Sequence, residues 1–96
     1  MQNQNQFESS RYWRTTSFYT ACYLYAKGQV LVNVDRISDT RRSQFVFLDS
    51  PERELLVRSF NYADENDSEV LVDVRTFVTA IKQLKDKLYQ DDFGRG

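Results

Sequence analysis

Two stretches in the middle of the chain alternate with a period of two, and a short polar link joins them. In Gln29-Val-Leu-Val-Asn-Val-Asp35, the residues Val30, Val32 and Val34 alternate with Gln29, Leu31, Asn33 and Asp35. In Ser43-Gln-Phe-Val-Phe-Leu48, Phe45 and Phe47 fall on one face and Val46 and Leu48 on the other. Successive side chains of a strand point to opposite faces, and β-branched and aromatic residues favour that geometry. A polar connection as short as Arg36–Arg42 leaves room for an antiparallel hairpin and none for a crossover helix. The pattern therefore places a hairpin, about 29–35 and 43–48, at the centre of the fold, and its alternation opposes an all-helical architecture.

Helical spacing appears on both sides of that hairpin. Phe18, Ala21, Cys22 and Tyr25 recur at i, i+3, i+4 and i+7. Thr16 or Ser17 can cap that helix, and Gly28 follows Lys27 as a suitable residue to end it, giving a helix over about 17–27. Asp49-Ser50-Pro51-Glu52 reads as a second start, with Ser50 as N-cap and Pro51 at the first helical position. Leu56, Phe60 and Ala63 then share one face of a helix over about 51–63. Asp73 can cap a third helix over about 74–90, in which Val74, Phe77, Ile81, Leu84 and Leu88 form a stripe. Arg11–Thr15 reads as a short extended segment carrying Trp13 to the core. Val70–Val72 fits either a short third or edge strand or the entry to the last helix. Residues 1–10 (MQNQNQFESS) read as a loose polar arm, 11–90 as one domain and 91–96 as a frayed tail. The expected fold is α+β: a small antiparallel sheet with three helices packed on it.

Residue types then remove whole classes of chemistry. The 96 residues contain no His and one Cys, Cys22. Imidazole-based triads, Cys–His dyads, histidine metal sites, internal disulfides and multi-cysteine zinc sites are all out of reach. Three scattered glycines make neither a phosphate-cradling loop nor a dinucleotide fingerprint. Asp64, Asn66 and Ser68 occupy the first, third and fifth positions of a calcium-loop template. That template then needs Gly and Glu where Glu69 and Arg75 stand. The acidic run is read as a solvated loop, and no metal, cofactor or catalytic residue is expected. Cys22 lies on the core stripe and reads as an inert buried thiol. The polar N-terminus lacks the form of a signal peptide, no apolar run spans a bilayer, and one unpaired Cys fits a reducing compartment. The expected setting is the cytoplasm, with no membrane contact.

Two surfaces are candidates for partners. The first helix is apolar nearly all round, so it is either buried on two sides or docked on another chain. Tyr19, Tyr23 and Lys27 line up at i, i+4 and i+8 off the core stripe and form the first candidate, for a larger protein partner or a homo-oligomer. The second candidate is nucleic acid. Net charge is −1 overall, but residues 1–58 carry +2 and residues 59–96 carry −3. Arg36, Arg41 and Arg42 cluster on the hairpin, and Arg11 and Arg14 flank Tyr12-Trp13; such groupings can grip a phosphate and stack a base. The leading expectation is a small non-enzymatic interaction or adaptor domain. The alternative is a nucleic-acid accessory protein using the arginine-rich hairpin.

The order of these elements also resembles a known family. Thr15-Thr16-Ser17-Phe18 opens a helix and Leu24-x-x-Lys27-Gly28 closes it. A Val-rich strand, Phe45-Val46-Phe47, a Pro-started helix and Phe77-x-x-x-Ile81-x-x-Leu84-Lys85 follow. Over residues 13–90 this is similar to a small bacterial and phage family catalogued as a domain of unknown function. The resemblance implies the α+β fold and a prokaryotic or mobile-element setting. Every matching residue is a core or capping type, so it carries over no catalytic or ligand residue.

Overall fold

Capping chemistry sets the helix boundaries. In a computed structural model, which describes residues 11–37 and 42–95, the elements run β1 (Tyr12–Thr15), α1 (Phe18–Ala26), β2 (Leu31–Arg36), β3 (Ser43–Leu48), α2 (Pro51–Tyr62) and α3 (Val74–Arg95). The Ser17 hydroxyl accepts from the Thr20 amide at 3.2 Å, and the Ser50 hydroxyl accepts from Arg53 at 3.2 Å. Asp73 accepts from the Thr76 amide at 2.9 Å. Each bond satisfies an amide that the first turn of a helix leaves without a partner. At the other end of α1, the Gln29 amide donates to the Leu24 carbonyl and the Gly28 amide to the Tyr25 carbonyl. Gly28 sits at φ 93°, a left-handed conformation that glycine adopts without a side-chain clash.

The sheet has the order β1-β3-β2 and is antiparallel throughout. The expected hairpin is present as β2 and β3. The third strand comes from Tyr12–Thr15, which pairs Trp13 with Phe47 and Thr15 with Phe45. Val70–Val72 forms no strand; turns lead it into α3, the second of the two readings above. Isolated valines in a loop are held by packing, not by a ladder.

A bulge corrects the simple alternation of β2. Leu31 is opposite Phe47, yet Asn33, two residues on, is opposite Val46, one residue back. The extra residue, Val32, shifts the phase of the strand. Leu31 and Val34 both pack on the core, whereas Val30 and Val32 are exposed. The three valines therefore do not share one buried face.

All three helices cover the face that carries Trp13, Phe45 and Phe47. Ala21, Cys22, Tyr23 and Leu24 of α1 meet Phe45 and Phe47 of β3, Leu56 of α2 and Leu84 of α3 in one cluster. Thus α1 lies at the centre, and its apolar surface is buried on two sides within the chain. Phe77, Ile81, Leu84 and Leu88 of the expected stripe pack inward, but Val74 is 74% exposed. It stands in the first turn, ahead of the point where α3 meets α1. The helix also continues to Arg95, through residues expected to fray, because nothing before Gly94 breaks the bonding pattern. The expected arm, 1–10, and the residues 38–41 lie outside the described residues.

Polar ties hold the start of α2 to the sheet. Gln29 is buried; it accepts from the Ser50 hydroxyl at 2.7 Å and donates to Glu52 at 3.3 Å. Arg53 donates twice to Asp49, at 2.9 and 3.3 Å, and its guanidinium lies 4.8 Å from the Trp13 ring centroid. That hydrogen bonding holds the Asp49 carboxyl below its ordinary pKa.

Candidate functional site

The connection from α2 to α3 builds an apolar concavity. After Ala63, turn bonds run from Asp67 to the Asp64 carbonyl, from Val70 to the Asp67 carbonyl and from Leu71 to the Ser68 carbonyl. The Asp67 carboxylate also accepts from the Glu69 amide at 2.8 Å. These short-range bonds give the segment a fixed shape although it is neither helix nor strand. Two bonds from α1 fasten it: the Tyr23 hydroxyl donates to the Glu69 carbonyl at 2.5 Å, and Lys27 Nζ donates to the Leu71 carbonyl at 3.3 Å.

Between this segment and the first turns of α3 lies a groove of about 490 Å³. Tyr23, Phe60 and Phe77 line its floor, and the Tyr23 and Phe60 rings are 4.9 Å apart between centroids. Its lip consists of Leu71, Val74 and Val78, which are 56%, 74% and 42% exposed. Acids border it: Glu65 lines the groove, and Asp64, Asp67 and Glu69 are exposed on the same connection. Burial, with Glu69 and Asp67 nearby, raises the Tyr23 phenol above its ordinary 10.0, so it stays a neutral donor to the Glu69 carbonyl. The site can bury apolar side chains while its border attracts cations.

A second concavity, of about 350 Å³, has the opposite charge. Arg36 and Arg42 from the hairpin and Lys85 from α3 line it, together with the rings of Phe18, Phe45 and Tyr89. Among the described residues no carboxylate lines it, and no group of three or more His, Cys, Asp or Glu is placed to hold a metal ion.

The candidates from the sequence are distributed as follows. Tyr19 is 62% exposed, Lys27 is half-buried over the Tyr23 ring, and Tyr23 is 2% exposed. The three do not form one exposed stripe, because α2 and the 64–73 connection cover the middle one. Tyr23 and Lys27 hold the connection that forms the groove, and Tyr19 is exposed away from its lining. Arg11 and Arg14 are exposed, but Trp13 is half-buried with Arg53 stacked on it, so that ring face is occupied. Arg14 pairs with Val46, which places it on the face opposite Phe45; Arg36 is on the same side as Phe45. Thus β3 and the pleat separate the two arginine groups. Arg41 lies outside the described residues. Cys22 is sealed in the core, and burial pushes its thiol up to about 11.

Sequence reasoning missed Leu71, Val74 and Val78 as a surface and Lys85 as a companion of the arginines. For the first group, a signal was present: three apolar residues beside an acidic run, with no sheet partner to cover them. For Lys85 there was none, since 43 residues separate it from Arg42.

No curated protein and no solved structure matches the chain. A protein-family model does match, over residues 10–90, and by that match the chain belongs to the family described as a domain of unknown function, DUF5659.

Proposed function

We propose that this domain is a small non-enzymatic interaction module whose groove receives a basic amphipathic segment of a larger protein. The observation that carries the reading is the groove of about 490 Å³ with Leu71, Val74 and Val78 open to solvent on its lip. Exposed apolar residues gathered around a concavity mark a place where another apolar surface is buried. Charge selects the occupant: Glu65 lines the groove and Asp64, Asp67 and Glu69 are exposed on the same connection, so they outnumber the nearby Lys27 and favour Lys and Arg on the incoming segment. A helix presenting apolar residues at i, i+3, i+4 and i+7 with basic flanks meets both demands. The resemblance in element order supports an accessory role in a prokaryotic or mobile-element system. The single buried thiol supports a reducing, cytoplasmic setting.

The test is an amide-shift titration with two synthetic 18-residue helical peptides, one built from Leu and Lys and one from Leu and Glu. Saturable shifts at Leu71, Val74 and Val78 with the Leu/Lys peptide are expected, and none with the Leu/Glu peptide. The double variant Leu71→Glu/Val74→Glu should stay folded and lose the shifts. Equal response to both peptides, or no response to either, removes the proposal. Protection of the same residues by self-association at high concentration would replace the partner with a second copy of this chain.

The nucleic-acid reading keeps one specific support, the convergence of Arg36 and Arg42 on the cationic concavity.

A further inference from the structure

The helices lie on the face of the sheet that carries Phe45 and Phe47, and no element among the described residues lies on the other face. Strand pairing arranges that second face in rows. Tyr12 is opposite Leu48, and the Leu48 amide donates to the Val30 carbonyl, so Tyr12, Leu48 and Val30 form one row. Arg14, Val46 and Asn33 form the next, with Val32 of the bulge beside them, and Gln44 and Asp35 follow. Val30, Val32 and Leu48 are all exposed around a buried Val46. The centre of the face is therefore apolar, and the groove uses none of it.

Charge says what fits it. Of the strand residues on this face, Arg14 and Asp35 are the charged ones, and they stand on opposite outer strands with neutral β3 between them. Such a face is complementary to itself. A two-fold axis along β3 lays β1 of one copy over β2 of the next, so each Arg14 meets the second copy's Asp35. The same axis sets Leu48 and Val46 on their own counterparts and Tyr12 over Val30. An axis across the strands instead lays β1 on β1 and β2 on β2, which brings like charges together. Sheets pack about 10 Å apart, and the offset of Arg14 from Asp35 along the strands, about 7 Å, is within reach of an arginine side chain. The face itself measures about 14 Å by 17 Å, from the spacing of strands and residues. An area of that order from each copy falls short of the roughly 1,200–2,000 Å² that a stable complex buries, so the association is weak and concentration-dependent.

We infer that the helix-free face of the sheet is a self-association surface: two copies of this chain pack sheet to sheet about a two-fold axis along β3, with Arg14 of each copy paired to Asp35 of the other. The surface shares no residue with the groove and leaves it open, so a dimer presents two grooves to a partner.

The experiment is sedimentation equilibrium with amide shifts on the full chain, from about 10 μM to about 1 mM, the range in which an interface of this size associates. A monomer–dimer equilibrium should appear, with shifts at Val30, Val32, Val46 and Leu48 and none at Leu71, Val74 and Val78. Arg14 is exposed and Asp35 half-buried, so Arg14→Asp and Asp35→Arg should each leave the chain folded. Each should weaken dimerisation about tenfold, because every reversal acts twice in a two-fold pair. Mixing the two variants should restore association, since all cross-copy pairs are then opposite in sign. That rescue reads the pairing itself and not the stability of either variant. The inference is overturned if the chain stays monomeric throughout, if the shifts fall on the groove, or if the mixture associates no better than its components. It is also overturned if Val30, Val32 and Leu48 are shielded from a soluble paramagnetic probe at every concentration, which would mean that the face is covered within one chain.

Discussion

The two concavities lie at opposite ends of α3 and are built in opposite ways. The groove takes Val74, Phe77 and Val78 from the first turns of the helix, and the cationic concavity takes Lys85 and Tyr89 from later ones. At 1.5 Å per residue, the two sets are centred roughly 15 Å apart along the axis. Most of the groove comes from one continuous segment, folded by short-range turn bonds and tied down by Tyr23 and Lys27. The cationic concavity is assembled entirely from tertiary structure: the hairpin, the start of α1 and α3 each supply a part. The comparison teaches that a site can be moved in two ways. Loosening a local segment should affect the groove alone, whereas disturbing the shared core should remove both.

The largest expected effect bears on that shared core. Leu84 is fully buried between the two sites, and Leu84→Ala should cost about 2–5 kcal/mol in stability by chemical denaturation. Both ends should then unfold in one transition. Separate transitions for Val78 and Ser43 signals would break the idea of a common frame. Next in size is Gly28→Ala, which forces a side chain into the left-handed region at φ 93°. A cost of about 1–2 kcal/mol is expected from the thermal midpoint, although nothing lies within 4 Å of the new Cβ. The penalty is purely one of backbone conformation.

A smaller and sharper test concerns the groove alone. Tyr23→Phe removes the hydroxyl that holds the Glu69 carbonyl and should cost about 1 kcal/mol. Hydrogen exchange should quicken at Val70 and Leu71 and stay unchanged at Phe45 and Phe47. Equal quickening at both would mean that the segment is not a separate local unit.

Alkali gives a fourth test. The folded Cys22 thiol is raised from 9.0 to about 11 by burial, an effect Lys85 partly opposes. In the unfolded chain the thiol loses its proton near pH 9.0, while the folded chain retains it to about 11. Stability from this group is therefore complete below pH 9 and lost progressively between pH 9 and 11. The advantage of wild type over Cys22→Ala in denaturation midpoint should be largest at pH 7 and shrink between pH 9 and 11, where the variant declines less steeply. The smallest effect is reserved for the exposed pair Arg58–Glu54: Arg58→Ala should change stability by less than about 0.5 kcal/mol.

Much of this architecture was legible in the residues, and the failures have physical causes. Ser50-Pro51, Gly28 and Asp73 announced helix ends because capping depends on a few neighbouring atoms. The β2–β3 hairpin was legible because alternation and a short link are local facts. The phase of β2 was not: Val30, Val32 and Val34 alternate cleanly, but the bulge at Val32 depends on how Leu31 and Asn33 meet β3. Helical spacing put Tyr23 off the core stripe and left open whether it was buried within the chain or docked on another, since spacing alone cannot report that the 64–73 connection folds over it. The groove was hidden for a related reason: Leu71 belongs to no periodic face, and Val74 fell on the stripe of α3 although the first turn lies ahead of the core. On the other site, the sequence showed the arginines but not the lysine and rings that join them, which only the fold brings into reach.

The bulge at Val32 has one more consequence. With the order β1-β3-β2, both outer strands have a side that no strand among the described residues pairs with, and such edges invite a further strand from another molecule. β1 offers only Tyr12–Thr15, and on β2 the extra residue throws the donors and acceptors out of step. An arriving strand would find a few bonds at most before its register failed. A short edge and a bulged edge thereby disfavour backbone pairing with another molecule, in a protein with ten exposed large apolar residues among those described.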